Sequence, residues 1–112
     1  MTHEEYLEFC LEKIVSTARA ILSGEVGIIA GSRELWSLSY QTGYDRDEDF
    51  ITFAGIDSET DHLPVDAERE NWDKEALKRK DIEIAEYEEF HKDHALRACK
   101  RIMERFDKER PA

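Results

Sequence analysis

The sequence predicts an all-α fold, a small helical bundle of three main helices at about 3–23, 25–40 and 73–108, with a long acidic connector over 41–70. Three observations lead there. Apolar residues recur at the spacing of one helix face in the first and last thirds of the chain. A capping signature stands at the start, where Thr2 is followed three residues later by Glu5. Negative charge is concentrated in the middle: residues 41–70 hold ten carboxylates against Arg46 and Arg69, a net of −8 out of −11 for the chain.

In the first helix Leu7, Cys10, Leu11, Ile14, Ala18, Ile21 and Leu22 make the apolar face, and Glu4, Glu5, Glu8, Glu12 and Lys13 the other. Ser23-Gly24 ends it, because glycine accepts the left-handed conformation that closes a helix. Ser23 is then placed to cap a second helix carrying Val26, Ile29, Leu35, Trp36 and Leu38. Gly27, Ala30 and Gly31 weaken that helix, since an interior glycine costs about 1 kcal/mol relative to alanine. They signal either close approach of a neighbouring helix or a break near Gly31.

The acidic connector is punctuated by Gly43, Gly55 and Pro64. Phe50, Phe53 and Ala54 fit one helical turn after Asp47 ended by Gly55, or a short extended piece. A disordered acidic linker lacks such aromatics, so Phe50, Phe53, Ile56 and Leu63 are expected to pin the segment to the helices. The last helix starts at Asn71 or Asp73. Its apolar stripe is Leu77, Ile84, Tyr87, His91, Ala95, Ala98, Ile102 and Phe106, with Cys99 and Met103 beside it. Acids dominate its first half and bases its second, the order the helix dipole favours. If this helix runs antiparallel to the first, Cys10 lies near Cys99, both buried and unbonded.

At 112 residues and 40% apolar the chain suits one domain, 1–112. No run approaches the roughly 20 apolar residues that cross a bilayer, and Met1-Thr-His-Glu-Glu does not resemble a secretory signal, so a cytoplasmic protein without a membrane role is expected. A pI near 4.8 argues against nucleic acid, whose phosphates are bound by clustered Lys and Arg. Two cysteines match no metal spacing and make no disulfide framework.

Several patterns bear on chemistry. Asp57, Glu59, Asp61 and Glu68 match positions 1, 3, 5 and 12 of an EF-hand calcium loop, but His62 replaces the required glycine and Pro64 removes an N–H; a capped acidic turn explains them more simply. Glu88 and His91 have the Glu-x-x-His spacing of di-iron bundles, with His94 nearby, yet no second copy occurs and a half-buried histidine bonded to a carboxylate is the commoner arrangement. Ser58, Asp61 and His62 lie close in sequence, which does not make a catalytic triad. No cofactor is implied. A metal-dependent or hydrolytic enzyme on Glu88, His91 and His94, or on Asp57 to His62, stays open as an alternative, as does a structural homodimer.

Thr2-His3-Glu4-Glu5-Tyr6-Leu7-Glu8-Phe9, continuing to Lys13-Ile14, resembles the first helix of the small acidic immunity proteins that neutralise nuclease bacteriocins of the colicin and pyocin type. The resemblance covers about the first 14 residues and implies a small helical inhibitor of a basic toxin. The family's Asp-Leu-Ile-Tyr-Tyr-Pro motif on the nuclease-binding face has no match here, so no binding residues carry over. The runs GSRELWSL, DSETDHLPV and Arg69 to Trp72 also resemble an uncharacterised bacterial family. The expected function is therefore a protein-binding or inhibitory one, of immunity or antitoxin kind. Its partner is a basic protein, such as a toxin, met by Tyr44, Asp45, Asp47, Glu48, Asp49, Asp57, Glu59 and Asp61. Charge steers such an encounter, and aromatics such as Tyr40, Trp36 and Trp72 add short-range affinity.

Overall fold

The computed structural model describes residues 1–107, and among them every regular element is helical: α1 (His3–Ser23), α2 (Ile28–Thr42), α3 (Glu48–Glu59), a short 3-10 helix (Asp66–Asn71) and α4 (Lys74–Phe106). There are thus five helical elements where three main helices were expected, and the acidic connector is largely structured. The expected end of the last helix at Lys108 lies outside the described residues; its last helical residue is Phe106, capped by Asp107.

The capping box at the start of α1 forms as its residue types require. Thr2 Oγ1 accepts the Glu5 N–H at 3.1 Å, and Glu5 Oε1 accepts the Thr2 N–H at 3.3 Å. Gly24 closes the helix at φ 82°. Cys10, Ile14, Val15, Ala18 and Ile21 are buried on its inner face. Cys10 and Cys99 are both buried and neither forms a disulfide; the Cys10 thiol donates to Gln41 Oε1 at 3.4 Å.

The second helix begins at Ile28, three residues later than expected, and Ser23 does not cap it. Ser23 Oγ instead accepts the Glu25 N–H within the turn, at 3.4 Å. The N-cap of α2 is Gly27, which has no side chain to offer. Glu88 of α4 supplies the missing acceptor: its Oε2 takes the Ile29 N–H at 2.9 Å. A carboxylate there also opposes the positive end of the α2 dipole. The small residues mark close approach, and α2 is unbroken at Gly31. A Cβ added at Gly31 would overlap the Ile21 side chain of α1.

The third helix runs through Gly55 to Glu59, where one turn ended by that glycine was expected. Phe50, Phe53 and Ile56 recur on its buried face. Burying each such side chain contributes about 1.5–3 kcal/mol, which outweighs the helix penalty of one glycine. Asp47 caps the start by accepting the Asp49 N–H at 2.9 Å. Past the end of α3, Leu63 and Pro64 are buried too, so the expected pins hold.

The core joins Cys10, Ile14, Ala18 and Ile21 of α1 with Ile29, Leu35 and Leu38 of α2, the apolar residues of α3 and Leu63, and Ala95, Ala98, Cys99 and Ile102 of α4. At 1.5 Å per residue the 33 residues of α4 reach about 50 Å, comparable to the 46 Å longest dimension of the molecule. Its fully buried residues lie only between Ala95 and Ile102. The expected apolar stripe is therefore divided, since Leu77, Ile84, Tyr87 and His91 are half-buried.

Replacing Gly31 with alanine is expected to lower stability by about 1–3 kcal/mol through overpacking against Ile21. Urea denaturation of Gly31→Ala beside Gly55→Ala, where an added Cβ meets nothing within 4 Å, checks this. Equal midpoints would contradict the close contact.

Candidate functional site

The strongest polar feature of the molecule is a ladder that ties residues 47–69 to α4 in antiparallel order. At the end nearest the α4 C-terminus, Arg105 Nη1 donates to Asp47 Oδ1 and Asp49 Oδ2, both at 2.7 Å, and Arg101 Nε donates to Asp49 Oδ1 at 2.8 Å. Farther along, the Tyr87 hydroxyl donates to Glu59 Oε2 at 2.6 Å. His62 Nε2 then meets Glu83 Oε1 at 2.8 Å, and Arg69 binds Asp81 through two hydrogen bonds of 2.7 and 3.0 Å. Bidentate and shared contacts of this sort are the stronger ones.

The expected partner-binding residues divide accordingly. Asp47 and Asp49 turn inward to Arg101 and Arg105. Asp57 lies 3.5 Å from Arg33 Nε, and Glu59 meets Tyr87. Tyr44 is half-buried, its ring stacked on Phe50 at 5.7 Å and edge-on to Phe106 at 5.0 Å, with the Arg105 guanidinium 5.6 Å away. Glu48 and Asp61 are exposed, and Asp45 is half-exposed in the turn before α3. The eight residues thus do not form one outward epitope. Four of the carboxylates hold the chain to itself.

The calcium-loop pattern is not realised. Asp57 and Glu59 belong to α3, and Asp57 and Glu68 both engage Arg33. A loop that wraps an ion needs those oxygens to converge, and here a guanidinium occupies the position between them. Asp61 and His62 do not assemble with Ser58 into a relay, because His62 has Asp61 4.0 Å from Nδ1 and Glu83 2.8 Å from Nε2, which leaves neither ring nitrogen for the serine. Glu88 is likewise parted from His91 and His94: its carboxylate caps α2, while His91 Nδ1 lies 3.2 Å from His94 Nε2. Among the described residues no group of three or more His, Cys, Asp or Glu side chains is arranged to hold a metal ion.

The histidine pair belongs to an aromatic cluster at the seam of α3 and α4. Tyr87 stacks on His91 at 4.1 Å, and Phe90 and His94 meet His91 edge-on at 5.0 and 4.9 Å. Burial pushes the His94 pKa down, and the neighbouring His91 pushes it further. Burial and the Glu59 carboxylate raise the pKa of the Tyr87 hydroxyl, which keeps it a donor. Burial alone pushes the Cys99 thiol up to about 12, so it is an inert core residue.

Arg33 is the residue the sequence did not single out. From α2 its Nη2 donates to the backbone oxygens of Thr60 and Leu63, the latter at 2.9 Å, and its Nη1 to Glu68 Oε1 at 3.3 Å. It holds the end of α3 and the segment beyond it. An arginine three residues before Trp36 offers no pattern that distinguishes this role from a solvated surface charge.

Compared with known proteins, the chain matches no family model, no curated protein and no solved structure. No helix among the described residues is long and apolar enough to cross a membrane.

Arg105→Ala is expected to destabilise the protein by about 1 kcal/mol. That is below the 1.5–3 kcal/mol typical of charged hydrogen bonds, because the Arg105 side chain is 38% exposed and water screens the pair. Thermal melts with and without added salt check it, and salt should narrow the difference.

Acid should weaken the fold in two stages. The His94 pKa is lower in the folded chain, so the unfolded chain binds a proton first; stability declines from about pH 6.5 downward and levels off below the folded value. Arg105 lowers the Asp47 carboxyl, Arg69 that of Asp81, and His62 and then Lys80 that of Glu83. Burial raises Asp49, but Arg101 and Arg105 outweigh it and the net shift is down. Stability from these four is complete above the unfolded carboxyl range near pH 4 and is lost as pH falls through their depressed values. Denaturation midpoints from pH 8 to 2 read both stages, and His94→Gln should remove the upper one.

Proposed function

We propose that the chain is a binding or inhibitory protein, of immunity or antitoxin kind, that covers a basic surface of another protein in the cytoplasm. The supporting observation is the carboxylate surplus that stays at the surface after the internal ladder is counted. Glu4, Glu12, Glu48, Asp61, Glu86 and Glu89 are all exposed, on a chain whose net charge is −11. Such a field accelerates encounter with a cationic protein and repels nucleic acid. The resemblance of the first helix to bacteriocin immunity proteins agrees with this reading but rests on the local signals of a capped amphipathic helix.

The internal ladder changes which residues test the idea. Reversing Asp47 or Asp49 would unpair Arg101 and Arg105 and disturb the fold. Glu48 and Asp61 are exposed and lie outside the core, Glu48 in the first turn of α3 and Asp61 4.0 Å from His62 Nδ1, so their reversal touches the fold only at its surface. Lysate of the native host passed over the immobilised chain is expected to leave a basic protein bound that elutes as salt rises. The double variant Glu48→Lys/Asp61→Lys should retain less of it while its circular dichroism spectrum stays that of the folded chain. Retention indifferent to salt, or no basic protein retained, removes the reading.

A further inference from the structure

The part of α4 that precedes Ala95 is a helix with an unusual lack of cover. From Lys74 to His94 it contains no fully buried residue, although a helix of a globular domain ordinarily buries an apolar stripe along its length. One side of this stretch rests against the 59–69 segment through the ladder already described. Away from the buried face it carries Ile82, 62% exposed, and Phe90, 82% exposed, whose ring borders the seam through its edge-on contact with His91 at 5.0 Å. A single exposed apolar side chain is unremarkable. These two stand on one i, i+4 row of the helix, Ile82–Glu86–Phe90–His94, which forms a ridge of the kind that packs into the groove of another helix.

The charges about that ridge name the occupant. Glu86 lies within the row, and Glu89 and Asp93 flank Phe90 one residue before and three after it. The bases on that outer side stand beyond the two ends of the ridge: Lys78, on the same row one turn before Ile82, and Arg79 at one end, Arg97 at the other. A second copy of this chain would set carboxylate against carboxylate, which repels. A phosphate backbone would be repelled likewise. Lysine or arginine complements all three acids, and a cation is also drawn to the face of an exposed phenylalanine.

We propose that the outer ridge of α4, from Ile82 to Asp93, is the surface on which the basic partner docks, and that it accepts an amphipathic basic helix. Lysine or arginine side chains of that helix meet Glu86, Glu89 and Asp93, and an apolar residue covers Phe90. The inference rests on the protein-binding function proposed above and gives that function a location, away from the α3 carboxylates that are bound internally.

The test uses the whole chain, labelled with 15N and titrated at low salt with a synthetic amphipathic peptide of leucine and lysine at helical spacing, beside a control in which glutamate replaces lysine. Amide shifts are expected to concentrate between Ile82 and Asp93 with the basic peptide only. Phe90→Ala should weaken binding at least about tenfold, as removal of a central aromatic anchor does. Its melting temperature should change little, because Phe90 is 82% exposed and its ring contact is the edge-on one with His91. Shifts centred instead on α1 or on Glu48 and Asp61 overturn this location while leaving a basic partner in place. No binding of the peptide overturns the docking surface, and the salt-eluted capture from host lysate then judges the binding function separately. Sedimentation equilibrium that shows a dimer abolished by Phe90→Ala overturns the proposal in favour of a second copy.

Discussion

The pairing of Asp47 and Asp49 with Arg101 and Arg105 is the constraint on which the arrangement of this protein depends. Asp47 caps α3 and, through the same carboxylate, receives Arg105. One side chain thereby starts a helix and anchors it to another. Phe50 follows within one turn, so the anchor also aims the aromatic face of α3 into the core beside Tyr44 and Phe106. The remaining contacts of the ladder then follow in order along α4. Each is partly exposed and individually modest. Their shared direction ties a segment that carries most of the chain's net charge to the helix that carries most of its bases.

Two further contacts show how the helices complete one another. The α2 N-terminus has only glycine at its cap, and a carboxylate delivered from α4 satisfies it; Glu88 therefore acts on the backbone of a helix remote in sequence. Arg33, in the following turn of α2, reaches the carbonyls of Thr60, which also accepts the Leu63 N–H, and of Leu63, just past the end of α3. Buried or half-buried backbone groups need such partners when no helix continues past them. Seen this way, several residues that resemble parts of active sites are occupied with structure: Glu88 with a helix end, Asp57 with Arg33, His62 with Glu83.

The exposed acids are spread over α1, α3, the segment after it and α4, and the aromatic ring most open to solvent is Phe90, on the part of α4 that buries nothing completely. An acidic ridge with a central aromatic is suited to recognition, where charge speeds encounter and a buried ring holds the complex. The central acidic segment contributes to the field of the molecule mainly through the residues that the ladder leaves outside it.

Much of the fold was legible in the residues alone, because its signals are local. The Thr2–Glu5 capping box, the turn at Gly24 and the 3.6-residue spacing of Cys10, Ile14, Ala18 and Ile21 each act within a few residues, and so does the Asp73 cap of α4. The aromatics at Phe50 and Phe53 showed that the acidic middle was held to a core. The length of α3 was not legible, because Gly55 and the dense charge argue against a helix until burial of Phe50, Phe53 and Ile56 outweighs them. Which carboxylates of the candidate site are held internally was not legible for a related reason: charge is visible in a sequence, but its partner is not. What the sequence determined by itself is helix content, the caps and the net charge of −11, all set by residue type and short spacing. Which carboxylates face solvent was decided by tertiary structure alone, since it depends on arginines more than 50 residues away along the chain that only packing brings within 3 Å of Asp47 and Asp49.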